Sequence, residues 1–507
     1  MTLAELLRDV ASLAPFDRGV AADLSSSEAG SAVTGIAYDS RQVSAGGVFV
    51  ALRGQKTDGL AFARAAMARG AIAVVAEAPA PADCRLPWIQ IADARLALAA
   101  LSASYFGRPS EKLQLVGITG TNGKTTTSYV VQSIFESAGI RSGRIGTVGY
   151  RVGNREFEAA RTTPEAPELH RMLRDMVAQG CGACVMEVSS HALVLRRADH
   201  LRFAAGIFTN LTRDHLDFHR DMEDYFTAKR RLFELLPQDG AAIVNLDDPR
   251  GRELSAVRAR TVTYAIDAAA DVRPGPLTFT LDGLSFEVQT PRGSLQIKSA
   301  LVGRPNAYNI LAAVATAIAL DIPATAIEQG VAALAHVPGR FQVVSDSVDD
   351  VRVVVDYAHT DDALKNLLET ARPLAAGRVI TLFGCGGDRD RTKRPLMGAV
   401  AARLSDLVIL TSDNPRSENP DQIIDEIKRG IVMPAERSVQ STPHLAITDR
   451  RQAIERAVQE ARAGDLVLIA GKGHEKYQEV GDKVLPFDDV EVARAALGRR
   501  RTRSRAS

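Results

Sequence analysis

Short apolar runs alternate with Ala- and Leu-rich stretches of helical spacing along most of the chain, and the apolar runs tend to end in Gly, Ser, Asp, Asn or His. Met1–Arg8 has the spacing of an amphipathic helix. The runs Gly47–Leu52 and Ala71–Glu77 predict buried strands on either side of an Ala-rich helix over Phe62–Arg69, which makes residues 1–107 a small α/β unit. From residue 108 the rhythm becomes strand, polar loop, helix, repeated, which predicts a mainly parallel sheet covered by helices. Between Val262 and Val302 the period changes to two, as in Leu277-Thr-Phe-Thr-Leu and Leu284-Ser-Phe-Glu-Val, so an antiparallel excursion is expected there. Asn306-Ala-Tyr-Asn309 is expected to cap a helix over Ile310–Leu320, and Pro338-Gly-Arg340 breaks the pattern. The expectation is an α/β protein of three domains, at residues 1–107, 108–338 and 339–507.

Length agrees with that division: 507 residues exceed one core and suggest about three. With 46% hydrophobic and 24% charged residues and a net charge of +1, nothing global points to nucleic acid or a membrane. No apolar run has the length of a membrane span, and the N-terminus does not read as a signal peptide. The basic end Arg499–Arg505 is expected to be a solvated, disordered tail. Cys84, Cys181, Cys184 and Cys385 are too scattered for a disulfide framework, and Cys181-Gly-Ala-Cys184 lacks the second pair of a zinc site. A cytoplasmic protein is expected.

The candidate chemistry starts at Gly120-Thr121-Asn122-Gly123-Lys124-Thr125-Thr126, between a strand-like run from Leu113 to Ile118 and a helix-like run from Thr125 to Ser137. Such a turn frees backbone N–H groups for phosphate oxygens, and the helix N-terminus adds its positive dipole end. Lys124 can neutralise phosphate charge, and the Thr125 hydroxyl can ligate Mg²⁺. The full phosphate-loop spacing is not met, because its first glycine would fall at Ile118. ATP binding by a shortened loop is expected.

Further polar groups sit where other apolar runs end, which is where open α/β sheets bind ligands. Glu187 follows Cys184-Val-Met and reads either as a carboxylate near Mg²⁺ or as a solvated strand-end residue. His215 lies in Asp214-His-Leu-Asp-Phe-His219, and Lys229 beside Arg230 and Arg231 reads by default as part of a solvated basic face. Arg389, Asp413-Asn414-Pro415-Arg416 and Gly471-Lys-Gly-His-Glu475 place arginines and carboxylates at three strand ends, a match for the two charges of an amino acid. Two polar loops of the first unit, Asp39–Gln42 and Gly54–Gly59, are open to either a turn or a ligand role.

These motifs resemble those of the Mur ligases, cytoplasmic ATP-dependent peptide ligases of peptidoglycan synthesis, from Asp39-Ser-Arg to about Phe487. Gly120–Thr126 resembles the family's ATP loop, Glu187-Val-Ser-Ser-His and Thr209-Asn-Leu-Thr-Arg-Asp-His-Leu-Asp its central motifs, and Asp356-Tyr-Ala-His and Gly471-Lys-Gly-His-Glu those of its last domain. Asp413-Asn-Pro-Arg resembles the motif of members that recognise meso-diaminopimelate. The resemblance implies a uridine-nucleotide domain, a phosphate-loop ATPase domain and a Rossmann-like domain for the incoming amino acid. It implies addition of meso-diaminopimelate to the D-glutamyl carboxylate of UDP-MurNAc-L-Ala-D-Glu through an acyl phosphate, with ATP and Mg²⁺, in a monomer. A lysine-adding relative, a folylpolyglutamate-synthase-like ligase and a nucleotide-driven switch are the alternatives.

By matching position, Ser40 and Gln55-Lys56-Thr57 would meet the uridine diphosphate, and Thr162, Thr163, Ser189 and Arg197 the muramoyl-dipeptide. Asn306, Asn309 and Arg340 would lie around ATP. Arg389, Asp413, Asn414, Pro415, Arg416, Gly471 and Glu475 would bind diaminopimelate. Thr125, Glu187, His215 and a carbamylated Lys229 would hold metal, with Lys124, His215 and Lys229 the catalytic groups.

Overall fold

A computed structural model describes residues 1–16, 24–54, 57–254, 258–432 and 442–506. Gln55 and Lys56 therefore lie outside the described residues. Three α/β sheets follow one another along the chain. The first is four-stranded and parallel, in the order Gly35–Ala37, Gly47–Val50, Ala73–Ala76, Trp88–Gln90. Its strands Gly47–Val50 and Ala73–Ala76 are buried throughout. The amphipathic helix Leu3–Val10 covers it with Leu3, Leu6, Leu7 and Val10 inward, as a period of 3.6 requires.

The second sheet has eight strands, with Gln114–Thr119 near its middle between Ala183–Glu187 and Ala205–Phe208. These three are parallel and in register, Ile118 opposite Glu187 and Thr119 opposite Phe208, so all three open their polar ends on one edge. Only the far strands Tyr150–Val152 and Arg155–Phe157 pair antiparallel. Apolar runs buried on both faces are what helices on both sides of a parallel sheet demand. The expected antiparallel excursion is a small sheet built on Gly283–Thr290 paired with Gly293–Ser299, with alternating burial along both strands.

The third sheet runs Gln342–Val343, Arg352–Asp356, Leu466–Ala470, Val379–Phe383, Leu407–Leu410, His444–Ala446. The last long strand in sequence, Leu466–Ala470, thus lies between the two that enter the sheet first after residue 350.

Two expectations are corrected. The helix expected over Ile310–Leu320 spans Arg304–Ala319 with Gly303 as its N-cap residue, so Asn306 and Asn309 lie inside it rather than capping it. Asn306 donates to Val302 O at 2.8 Å and Asn309 to Asn306 Oδ1 at 3.0 Å, which satisfies both buried amides within the first turn. The basic end is a helix, Asp489–Ala506, not a disordered tail. Val492, Ala493, Ala496 and Leu497 are buried in the third domain's core, while Arg500 pairs with Asp350 and Arg501 with Asp346 and Asp349. Counting only its charges hid the apolar stripe that precedes them. No described helix is long and apolar enough to cross a membrane.

Candidate active site

The loop after Gln114–Thr119 turns into helix Lys124–Ser137 at two glycines with positive φ, Gly120 at 147° and Gly123 at 89°. Side chains are excluded there on space as well: a Cβ would run into the Thr209 hydroxyl at Gly120 and the Asn309 amide at Gly123. The next strand end fastens the loop. Asn122 N–H donates to Asn210 Oδ1 at 2.9 Å, and Thr209 Oγ1 donates to Asn122 O at 2.7 Å. Lys124 folds back over the turn, its ammonium 2.9 Å from Gly120 O and 2.8 Å from Thr121 O. Burial lowers its pKa, against the opposing pull of Glu187 and Asp214. Thr125 Oγ1 accepts from Arg340 Nη2 at 3.2 Å, and that guanidinium lies over the Tyr357 ring at 4.6 Å.

Glu187 is not a solvated strand end: it is 1% exposed. Thr147 N–H and Oγ1 donate to its two oxygens at 2.9 and 3.0 Å. The groups expected to hold the dipeptide gather beside it. Thr163 Oγ1 donates to Glu187 O at 2.9 Å and accepts from Ser189 N–H at 3.1 Å. Thr162 meets Thr147 at 3.0 Å, and Arg197 donates to Thr163 O while pairing with Glu165 at 2.7 Å. Ser40, by contrast, lies in a short turn of the first domain, near Tyr38, whose hydroxyl donates to Glu168 at 3.2 Å across the junction. Thr57 is exposed in that domain.

Lys229 overturns its default reading. Its side chain is 1% exposed, its ammonium donates to Gly120 O at 2.7 Å, and it lies over the Tyr225 ring at 4.2 Å. It forms no ion pair among the described residues, and burial followed by the Lys124 charge lowers its pKa well below the usual range. His215, with a left-handed backbone (φ 54°), sits 3.4 Å from the Asp214 carboxylate. Burial brings its pKa down to about 4 in spite of that carboxylate. His191 and Tyr225 flank it, with ring centroids 5.0 and 6.0 Å away.

A second cluster forms where strands Val379–Phe383, Leu407–Leu410 and Leu466–Ala470 end. Asn414 Nδ2 donates to Glu475 Oε2 at 2.9 Å. Arg416, also left-handed at φ 52°, donates to Gly387 O at 2.8 Å and meets Glu479 at 2.7 Å. Gly471 lies against the Asp413 carboxylate, and Pro415 is buried behind Arg416. Arg389 is exposed, close to Gly386 and Arg416, and makes no ion pair among the described residues. Two contacts tie the first cluster to the third domain: Asn122 Nδ2 donates to Asp362 at 2.9 Å and Arg213 to Thr392 Oγ1 at 3.2 Å. Thr147, Lys472 and Glu479 escaped the sequence reading. Lys472 stood inside a quoted motif, but Thr147 and Glu479 carry no local signal.

Profiles of three Mur ligase units match in order along the chain: the catalytic domain over residues 32–106, the middle domain over 118–317 and the glutamate ligase domain over 339–473. A UDP-N-acetylmuramoyl-L-alanyl-D-glutamate–2,6-diaminopimelate ligase of Geobacter metallireducens is 48% identical over 92% of this chain and 94% of its own. One of Solibacter usitatus is 48% identical over 98% of both. The chain belongs to the Mur ligase family. It is therefore an ATP-dependent ligase, and the loop at Gly120–Thr126 lies within the matched middle domain. A solved ligase with the same name as those relatives matches at 35% identity with a TM-score of 0.66, over 92% of this Mur ligase and 95% of the other. MurF ligase from Thermotoga maritima in complex with ADP shares the fold at 18% identity, TM-score 0.62, over 92% and 98%.

Proposed function

We propose that this Mur ligase joins meso-diaminopimelate to the D-glutamyl carboxylate of UDP-MurNAc-L-Ala-D-Glu, as a cytoplasmic monomer, with domain boundaries at 107/108 and 338/339. The observation that carries the substrate choice is the second cluster. Arg389, free of ion pairs among the described residues, lies with Arg416 against Gly386, while Asn414, on the same loop as Arg416, donates to Glu475. Such a set offers fork-shaped donors for a carboxylate and an acceptor for an ammonium, and the distal end of diaminopimelate carries both. Lysine has only the ammonium there.

Thr162, Thr163, Ser189 and Arg197 would orient the dipeptide so that its free carboxylate reaches the γ-phosphate held over Gly120–Thr126. That carboxylate attacks phosphorus, ADP leaves, and an acyl phosphate remains. The diaminopimelate amine then attacks the acyl carbon, phosphate leaves, and the amide forms. Lys124 would swing from its loop carbonyls to the phosphates, and Arg340 would offset charge beside Thr125. His215, uncharged near neutrality, is the group we assign to take the proton the amine loses. Asn306 and Asn309 support the loop from the adjoining helix.

Mg²⁺ suits part of the expected set. Thr125 and Glu187 are buried hard oxygen donors of the kind Mg²⁺ takes, and the ion would supply charge neutralisation at the phosphates. Among the described residues no three His, Cys, Asp or Glu side chains gather to hold a metal, and Lys229 as an ammonium repels one. A carbamate on Lys229 would turn that buried cation into an oxygen donor. Phosphate release from ATP with UDP-MurNAc-L-Ala-D-Glu and either meso-diaminopimelate or L-lysine tests the function: faster turnover with lysine overturns it.

A further inference from the structure

Behind the amino-acid cluster lies a layer of charge that no substrate role requires. Lys472 is fully buried, yet its ammonium is satisfied, 2.9 Å from Glu475 Oε2 and 3.0 Å from Asn414 Oδ1. Glu479 lies on a two-stranded hairpin, Tyr477–Val480 with Lys483–Pro486, that packs its backbone on Arg416. Arg416 N–H donates to Glu479 O at 3.2 Å, and Glu479 N–H donates to Asn414 Oδ1 at 3.0 Å.

The Asn414 amide oxygen therefore receives two donors, one of them charged, while its nitrogen gives to Glu475. A flipped amide would set its NH₂ against the Lys472 ammonium and the Glu479 N–H, leave that N–H without an acceptor and turn the amide oxygen onto the Glu475 carboxylate. One orientation is fixed. The Arg416 guanidinium is held at two atoms. Its Nη1 donates to Gly387 O at 2.8 Å, and its Nε lies 2.7 Å from the buried Glu479 Oε2, an ion pair without the alignment of a hydrogen bond that restricts the plane by charge before any ligand arrives. Preorganised donors cost nothing to orient when a ligand binds, and a fork that turns freely loses that advantage.

We propose that Lys472 and Glu479 are positioning residues for the amino-acid substrate, setting the direction of the Asn414 amide and the plane of the Arg416 guanidinium. The proposal rests on the amino-acid role assigned above to Asn414, Arg416 and Glu475. Neither residue touches the reacting atoms. Their effect belongs to the affinity for the amino acid and not to ATP or to the chemical step.

Steady-state phosphate release tests this, with KM for meso-diaminopimelate, KM for ATP and kcat read separately, and thermal midpoints alongside. Glu479→Gln keeps the shape and removes the charge. Its KM for diaminopimelate is expected to rise about tenfold, with kcat and KM for ATP held within about twofold. Glu479→Asp, which keeps the carboxylate, recovers most of that loss. Lys472→Met is expected to raise the same KM about a hundredfold, since it leaves the Glu475 carboxylate without its buried counter-charge and removes the charged donor to Asn414 Oδ1. An unchanged or lowered diaminopimelate KM in Glu479→Gln overturns the proposal, a lowered one marking Glu479 as a competitor for Arg416. Should Lys472→Met fail to fold, the Glu479 pair decides alone. Wild-type turnover with L-lysine and none with diaminopimelate would sink the substrate assignment instead. The Lys472→Met comparison read with lysine would then decide the positioning role, an unchanged KM overturning it.

Discussion

Lys229 concentrates the tension between stability and chemistry in one side chain. A lysine whose folded pKa lies below its unfolded value, near 10, costs stability at neutral pH, because folding opposes a proton that the open chain holds. Lys229→Met is therefore expected to raise the thermal midpoint, by on the order of 1 kcal/mol of stability, while lowering kcat by about a hundredfold or more. Calorimetry and phosphate release check the two halves independently. Glu418 shows the opposite sign. Hydrogen bonds from the buried Arg394 pull its pKa down to about 2, and its Oε1 also accepts from Asp388 N–H at the base of the Arg389 loop. A carboxylate lowered in the folded state contributes stability above its unfolded pKa, about 4.3, and loses it as pH falls towards 2. The midpoint difference between wild type and Glu418→Gln should then be full at about pH 6, shrink from about pH 4 and close below about pH 2. Arg340→Ala, losing the contact to Thr125, should raise KM for ATP about tenfold and leave KM for diaminopimelate in place.

The helix Asp489–Ala506 does two jobs with two ends. At its start, Asp489 forms a bidentate pair with Arg450, both fully buried, and Arg450 also donates to Ala470 O and Ser412 O at the strand ends of the amino-acid cluster. Arg450→Met leaves Asp489 uncompensated and is expected to cost about 3–5 kcal/mol, read by denaturant unfolding. At its far end the arginines clasp the exposed turn at Asp346–Asp350. A chain stopped after Gly498 strips Arg501 from the buried Asp349 carboxylate and Arg500 from the Val458 and Ala461 carbonyls, so it should lose about 4 °C or more in thermal midpoint while keeping its KM values. Strand-and-helix rhythm made the three sheets readable, because buried parallel strands write themselves as unbroken apolar runs. Motif spacing likewise located Gly120–Thr126, Glu187 and Asp413–Arg416. What escaped was partnership across distance: Thr147 clamps Glu187 from 40 residues away and Glu479 meets Arg416 from a hairpin, and neither contact has a local period. The apolar stripe Val492–Leu497 was overlooked for a different reason, its signal being adjacent to a stronger run of charge.

Each sheet has its own packed core, and among the described residues the hydrogen bonds that join the central and third domains include Asn122 with Asp362, Arg340 with Thr125 and Arg213 with Thr392. Domains with their own cores unfold separately, so calorimetry should resolve more than one transition. A non-hydrolysable ATP analogue at a hundred times its Kd should add about 2.7 kcal/mol to the central domain's transition. Diaminopimelate alone should move the third domain's. The order of that last sheet reaches beyond the finished protein to its synthesis. Leu466–Ala470 separates Arg352–Asp356 from Val379–Phe383, so those two have no neighbour in common until residues 466–470 leave the ribosome. About eighty residues are translated after Phe383 while both strands keep unpaired inner edges, the surface that chaperones must shield and aggregates can seize. A message cut before the codons for Leu466–Ala470 yields no smaller working enzyme: the amino-acid site exists only once that strand has been laid between the other two.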